Sequence, residues 1–258
     1  MSADAKLTVV TSFSEAGYRQ YGRNFIETYR KFWPREVDLK VYHEGPCGAV
    51  GKDGVDLLLT EPCRSFLDRH EGQAIPEGRE PYPGKEWKAN VRHPRNFRFD
   101  AVKFARKVFA IGHAARSVQS GKMFWLDADM ETVAPVPLAF LGKVLPDNVG
   151  VSHLPRPGYH SECGFVGYNL DHPGVMEFIT DFEHVYSADR FFEFKEWHDS
   201  FIFDRMLEKS GVRTFGIPHT DKGTPVEHSM LRPYFIHYKG SRKESPSVRA
   251  KHKAMYAK

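Results

Sequence analysis

The sequence predicts a single α/β domain built on a mainly parallel, mixed sheet flanked by helices. Three observations carry this. LTVVTSF (7–13) is a short apolar run rich in β-branched residues, as a buried strand requires. Tyr18, Tyr21, Phe25, Ile26, Tyr29, Phe32 and Trp33 then recur at three- and four-residue spacing, a helical stripe that Pro34 ends. VDLKVYH (37–43) alternates as a second strand. Strand, helix and strand in this succession make a βαβ unit, hence a parallel pair covered by a helix. At 258 residues and 41% hydrophobic, the chain has the length of one large domain or two small ones and ample material for a core.

The remaining elements follow in order. Residues 44 to 96 are rich in Gly, Pro and charge, with one short apolar run at Val55 to Leu59, and are expected to be mostly loop bordering a site. Asp100 is placed to cap a helix whose period runs through Val102, Phe104, Ala105, Val108, Phe109 and Ala115 to about Val118. KMFWLDAD reads as a strand, as do NVGVS (148–152) and CGFVGYN (163–169). Asp171 and Pro173 open a helix with Val175, Met176, Phe178, Ile179, Phe182 and Tyr186 on its core face. Another helix runs from about Trp197 to Lys209 and closes at Gly211, and short strands follow at 213–217 and 233–238. Residues 1–240 form the expected domain and 241–258 a basic, polar C-terminal tail.

Composition narrows the class. No apolar run approaches the roughly 20 residues of a membrane span. MSADAKLTVV lacks the basic and apolar regions of a secretory signal, so none is expected. Three widely spaced cysteines, Cys47, Cys63 and Cys163, fit reduced thiols and a cytoplasmic location, and argue against a disulfide framework or zinc cluster. The net charge of +4 alone says little about partners.

Chemistry enters with MFWLDADME (123–131). An apolar strand here runs into two carboxylates, Asp127 and Asp129, and ligands of a parallel sheet bind beyond the carboxyl ends of its strands. On an extended segment residues i and i+2 point the same way, so both carboxylates are expected to face one point. Held close, they need a cation or proton between them, and hard oxygen ligands suit Mg²⁺ or Mn²⁺. The plainer alternative is a strand end that turns into a solvated acidic loop. FIHYKGSRK (235–243) adds His237, which can serve as a third metal ligand, then Gly240, which allows close backbone approach to a phosphate, and Lys243, a point charge for a diphosphate.

The strand ending in Asp-x-Asp and the late His-x-x-Gly-x-x-Lys resemble GT-A glycosyltransferases, in particular the family-eight-like group related to glycogenin and bacterial galactosyltransferases. The likeness runs in order through the first strand, Asp-x-Asp, the GFVGYN strand, the HDSFIFD helix and the C-terminal histidine motif. It implies a single GT-A, Rossmann-like domain that moves a sugar from a nucleotide-diphosphate sugar, a uridine diphosphate sugar by family precedent, to an acceptor hydroxyl with Mn²⁺ or Mg²⁺ as cofactor. Asp127 would contact ribose and metal, Asp129 would ligate the metal with His237, and Gly240 and Lys243 would hold the diphosphate. Thr11, Ser12, Phe13 and Tyr18 would cradle base and ribose, with core packing the alternative for Phe13 and Tyr18, and Lys103 would reach the donor. Retaining members show Asp-Gln-Asp where this chain has Trp197-His198-Asp199, so retention or inversion stays open. An inverting enzyme needs a base, for which Asp199, Glu162 and His198 are the candidates; a helix-start acid and a loop charge are the plainer readings of Asp199 and Glu162.

Residues 85–107 carry Lys85, Lys88, Arg92, Arg95, Arg98, Lys103, Arg106 and Lys107 with Trp87, Phe97 and Phe99 among them, and the tail is basic too. Such a segment can follow a phosphate backbone and stack bases, and a DNA acceptor would make the chain similar to base J glucosyltransferases, which glycosylate a hydroxymethylated base. A solvated helix face with a glycan-type acceptor ranks slightly ahead. The rival functions are a nucleotide-sugar-binding module without turnover and a nucleotidyltransferase. The latter is disfavoured because TSFSEAGY lacks a Gly-rich basic loop.

Overall fold

A computed structural model describes residues 6–45, 50, 54–85, 87, 95–243 and 246–256. Its main sheet has seven strands in the order β3-β2-β1-β4-β7-β6-β8. β1 (Leu7–Ser14) lies between β2 (Val37–Glu44) and β4 (Lys122–Leu126), parallel to both, and β3 (Gly54–Asp56) continues the parallel half beside β2. β7 (Glu162–Asn169) runs antiparallel to β4 and to β6 (Val151–Leu154), whose other neighbour, β8 (Thr214–Gly216), is parallel. All residues of β4 and β7 are buried, because helices cover both faces of the sheet.

The first crossover is helical as expected, though in three pieces: α1 (Glu15–Gly17), a π-helical turn (Tyr18–Gly22) and α2 (Arg23–Phe32). α3 (Cys63–His70), α4 (Ala101–Val118), α6 (Val175–Ser187) and α7 (Asp199–Ser210) pack on one face, whereas α2 and α5 (Leu138–Val144) pack on the other. Asp100 caps α4, its side chain accepting the Lys103 N–H at 3.1 Å, and Gly211 closes α7 at φ 64°.

Four elements depart from the sequence reading. α3 lies within the stretch expected to be loop. Its stripe of Cys63, Phe66, Leu67 and His70 is helical in spacing but only two turns long, and charged residues interrupt it. α5 was not anticipated either. β5 (Met130–Thr132) pairs antiparallel with β9 (Phe235–His237), a contact between segments more than a hundred residues apart. The stretch expected as a polar tail contains α8 (Pro246–Tyr256), which is packed onto the domain: His252 is buried with Nε2 3.2 Å from Glu227 Oε1, Arg249 Nη1 donates to the Gln20 carbonyl at 2.7 Å, and Lys253 pairs with Glu131.

Cys63 and Cys163 are buried free thiols, whereas Cys47 lies outside the described residues. No helix among the described residues is long and apolar enough to cross a membrane.

Candidate active site

The site forms where β4 ends. Asp127 does not continue the strand. The Met130 N–H donates to the Asp127 carbonyl at 2.9 Å, a tight turn of four residues. The two carboxylates therefore converge through a turn, which corrects the extended-segment argument. Two donors orient Asp127: Trp125 Nε1 at 2.7 Å and Lys107 Nζ at 2.8 Å both bond Oδ1. Oδ2 is left facing inward, 3.8 Å from His237 Nε2. Beyond the turn, β5 pairs with β9 so that Met130 opposes His237, and the Tyr238 N–H donates to the Asp129 carbonyl at 3.0 Å. This small sheet brings His237 Nε2 to 3.0 Å from Asp129 Oδ1.

Ligand atoms of Asp127, Asp129 and His237 thus all lie within 4.8 Å of one another. Ligands at the roughly 2.1 Å of Mg²⁺ or Mn²⁺ sit about 3 Å apart at adjacent octahedral positions, so the donor set and spacing fit such a cation. A second group of possible ligands is His160, Glu196 and His198. There His198 Nδ1 accepts the Phe201 N–H at 3.3 Å and Nε2 bonds Glu196 Oε2 at 2.9 Å, so both ring nitrogens are engaged.

His237 is 2% exposed. Burial opposes a charge on its ring, yet Asp129 and then Asp127 outweigh that and hold it above the usual histidine value. Its backbone N–H donates to the buried Glu227 at 2.8 Å. Its Nδ1 is buried without a hydrogen-bond partner, and Glu162 Oε1 faces it at 3.7 Å. Gly164 supplies the floor: a β-carbon there would stand 2.4 Å from His237 Cε1. Glu162 is itself buried, paired with Lys239 and 3.8 Å from Arg156 Nη1.

Lys107 is the residue that the sequence reading missed. It was counted only as one basic residue among many, while Lys103, one turn earlier, was assigned to the donor. Lys107 Nζ bonds Asp127 at 2.8 Å, the Cys163 carbonyl at 2.6 Å and Asp199 Oδ2 at 2.8 Å. Burial would disfavour its charge, but Asp127 and Asp199 hold the ammonium strongly protonated. Likewise burial would raise the Asp199 carboxyl, and Lys107 holds it down. The available signal was position: Lys107 sits between Ala105 and Val108 on the buried stripe of α4. Lys239 and Arg156 were also overlooked.

A cleft of about 370 Å³ gathers these groups, and Ser12, Lys103, Asp199, Glu162, His198 and Lys239 all line it. Alternation along β1 explains the rest of that strand. Ser12 faces the cleft, whereas Thr11 and Phe13 point the other way into the core, at 0% and 2% exposure. Tyr18 packs its ring 5.6 Å from Phe13, and it is Tyr21 that reaches the cleft. Phe13 is a core residue, and Tyr18 is half-buried beside it. Gly240 has φ 55° with open space beside its α-carbon, and Lys243 ends the same 3₁₀ turn, but its side chain lies outside what is described.

Three arginines of the basic segment pair with carboxylates of the chain. Arg95 pairs with Glu77 at 2.9 Å, Arg98 approaches Glu196 at 3.5 Å, and Arg106 bonds Glu44 at 3.1 Å and also Glu71. Trp87 stacks on Phe99 with centroids 5.4 Å apart. Lys88 and Arg92 lie outside the described residues.

The sequence matches no protein-family model and no curated protein. Solved structures do match. The glycosyltransferase GlyE of Streptococcus pneumoniae TIGR4 aligns with 94% of this chain at a TM-score of 0.52 and 13% identity, and a bifunctional glycosyltransferase, WbbM, aligns with 93% at 0.50 and 12%. The chain spans 57% of the first and 47% of the second. This chain has the GT-A-like fold of those glycosyltransferase structures.

Proposed function

We propose that this protein is a metal-dependent glycosyltransferase that moves a sugar from a nucleotide-diphosphate sugar, a uridine diphosphate sugar in our reading, to an acceptor hydroxyl. The observation that carries the reading is the convergence of Asp127 Oδ2, Asp129 Oδ1 and His237 Nε2 at the end of β4, on a fold shared with glycosyltransferases. These three residues would hold Mn²⁺ or Mg²⁺. When bound, such a cation stabilises the negative charge that grows on a departing diphosphate.

The chain's other residues divide the remaining work. Lys239, Lys103 and the open backbone at Gly240 meet the diphosphate, with Lys243 next along the same turn. Lys107 fixes Asp127 and Asp199 in one arrangement before any ligand arrives. Asp199, held anionic by Lys107, accepts hydrogen bonds from donor-sugar hydroxyls and is a poor proton acceptor. Glu162, held by Lys239, and His198, engaged at both nitrogens, are placed to orient rather than to abstract a proton. Ser12 and Tyr21 line the nucleoside side of the cleft.

A glycan-type acceptor is favoured over DNA, because Arg95, Arg98 and Arg106 are engaged by carboxylates of the chain and do not form a stripe open to a phosphate backbone. Two free thiols fit a reducing, cytoplasmic setting. The test is thermal stability with Mn²⁺ and a panel of nucleoside diphosphates, followed by release of the nucleoside diphosphate from the matching nucleotide sugar. A ligand at a hundred times its Kd adds about 2.7 kcal/mol to the folded state. A Mn²⁺-dependent rise with one nucleotide is expected, and no rise with any of them refutes the reading.

A further inference from the structure

A second concavity lies beside the cleft, between the loop 155–161 and α7. We infer that this groove is the acceptor subsite and that it takes a neutral saccharide. The inference rests on the glycosyltransferase reading and deepens it.

Position is the first argument. Arg156 lines both the cleft and the groove, and is the wall they share. His160, at the same boundary, has Nε2 3.7 Å from Glu196 Oε2, the carboxylate that bonds His198 of the cleft. A ligand lying in the groove therefore ends at the donor site. The groove encloses about 650 Å³, against about 370 Å³ for the cleft, and is within the range of small-molecule sites.

Chemistry is the second. Tyr159, at the loop tip, is 69% exposed, one of the few large aromatic residues left in solvent. Its loop is braced: the Tyr159 N–H donates to the Arg156 carbonyl at 2.7 Å, Arg156 Nε donates to the His160 carbonyl at 2.6 Å, and Lys222 bonds the Pro157 carbonyl while lying 5.6 Å from the Tyr159 ring centre. A ring held in place offers its surface to the C–H face of a pyranose with little ordering cost. Opposite, α7 presents Asp204 and Glu208. Asp204 Oδ2 accepts the Ser161 N–H at 3.0 Å, and its carboxylate is a natural acceptor for sugar hydroxyls.

Charge is the third. Arg205 is bonded to Glu208 at 2.6 Å and Arg156 is held by its own loop, so both groove arginines are engaged. Asp204 and Glu208 stand against Arg156, Arg205 and Lys222, so neither sign dominates the groove, and an uncharged polyol suits it better than a nucleic-acid backbone, which needs a row of open cations.

The experiment is saturation-transfer NMR on the whole protein with lactose, maltose and cellobiose as probes, and a DNA duplex containing a hydroxymethylated base as competitor. It is run on the native protein, Tyr159→Ala and Asp204→Asn, beside the Mn²⁺–nucleotide thermal shift. At least one disaccharide is expected to bind, with affinity about tenfold weaker in Tyr159→Ala, and the duplex should not displace it. Absence of any disaccharide signal, undiminished binding in both variants, or displacement by the duplex overturns the inference. Absence of the nucleotide shift in the native protein overturns the glycosyltransferase reading instead, and the disaccharide signal then tests the groove alone.

Discussion

Lys107, near the middle of α4, reaches Asp199 at the first turn of α7, with Nζ 2.8 Å from Oδ2. The same ammonium holds Asp127 at the end of β4, so one side chain ties two helices and a strand to the candidate metal site.

That bridge sets the first prediction. Lys107→Met leaves Asp127 and Asp199 without their shared counter-charge. Breaking a buried pair from one side costs about 3–5 kcal/mol. The melting temperature should drop accordingly, and Mn²⁺ should restore more stability to the variant than it adds to the native protein. A variant as stable as the native protein would show that the bridge is energetically idle.

Asp129→Ala removes one of three converging ligands and the carboxylate nearest His237. The fold should persist, because Asp129 sits at a turn whose bonds run through its backbone. The Mn²⁺-dependent thermal shift and metal-dependent turnover should both vanish. Full activity with Mn²⁺ in this variant would refute the metal assignment.

Gly164→Ala tests the floor beneath His237. The added methyl would stand 2.4 Å from His237 Cε1 and 3.1 Å from Glu162 Oε1, so the imidazole must move. Mn²⁺ affinity, read by titration calorimetry, should fall by about 10–100-fold, the loss typical when a ligand's supporting shell is disturbed. Overpacking adds a stability loss of about 1–3 kcal/mol.

The pH dependence follows from His237. Its raised value means that the folded protein binds the ring proton more tightly than the unfolded chain. Without metal, this contribution to stability is present below the unfolded value and is lost as pH rises through the folded one. For Mn²⁺ the sign reverses, because the cation needs the lone pair that the proton occupies. Mn²⁺ affinity should therefore weaken as pH falls through the raised value. A flat affinity profile from pH 8 to pH 5, roughly the range of histidine titration, would show that His237 is not a ligand.

Lys243→Ala is expected to weaken binding of a nucleoside diphosphate more than binding of the bare nucleoside, since the added charge matters only where there is phosphate. Equal losses measured by calorimetry would remove Lys243 from the diphosphate site.

Local pattern made much of this fold legible. The β-branched run at Leu7, the aromatic stripe ending at Pro34 and the cap at Asp100 are consequences of residue type and spacing within a dozen positions, and they place β1, α2 and α4. Asp127 and Asp129 stood out because they close a buried strand, where charge is costly, and His237 because it closes a short apolar strand of its own. α3 was less legible because two turns give a weak period.

The sequence by itself determined β1, α2 and α4 and which residues could ligate a cation. Only the tertiary structure decided that they meet. The pairing of Met130 with His237 closes a loop of more than a hundred residues, and no local periodicity encodes such a contact. The role of Lys107 was decided the same way. A lysine on a helix is ordinarily a solvated charge, and this one is half-buried because α4 packs against β4 and α7, where two carboxylates await it.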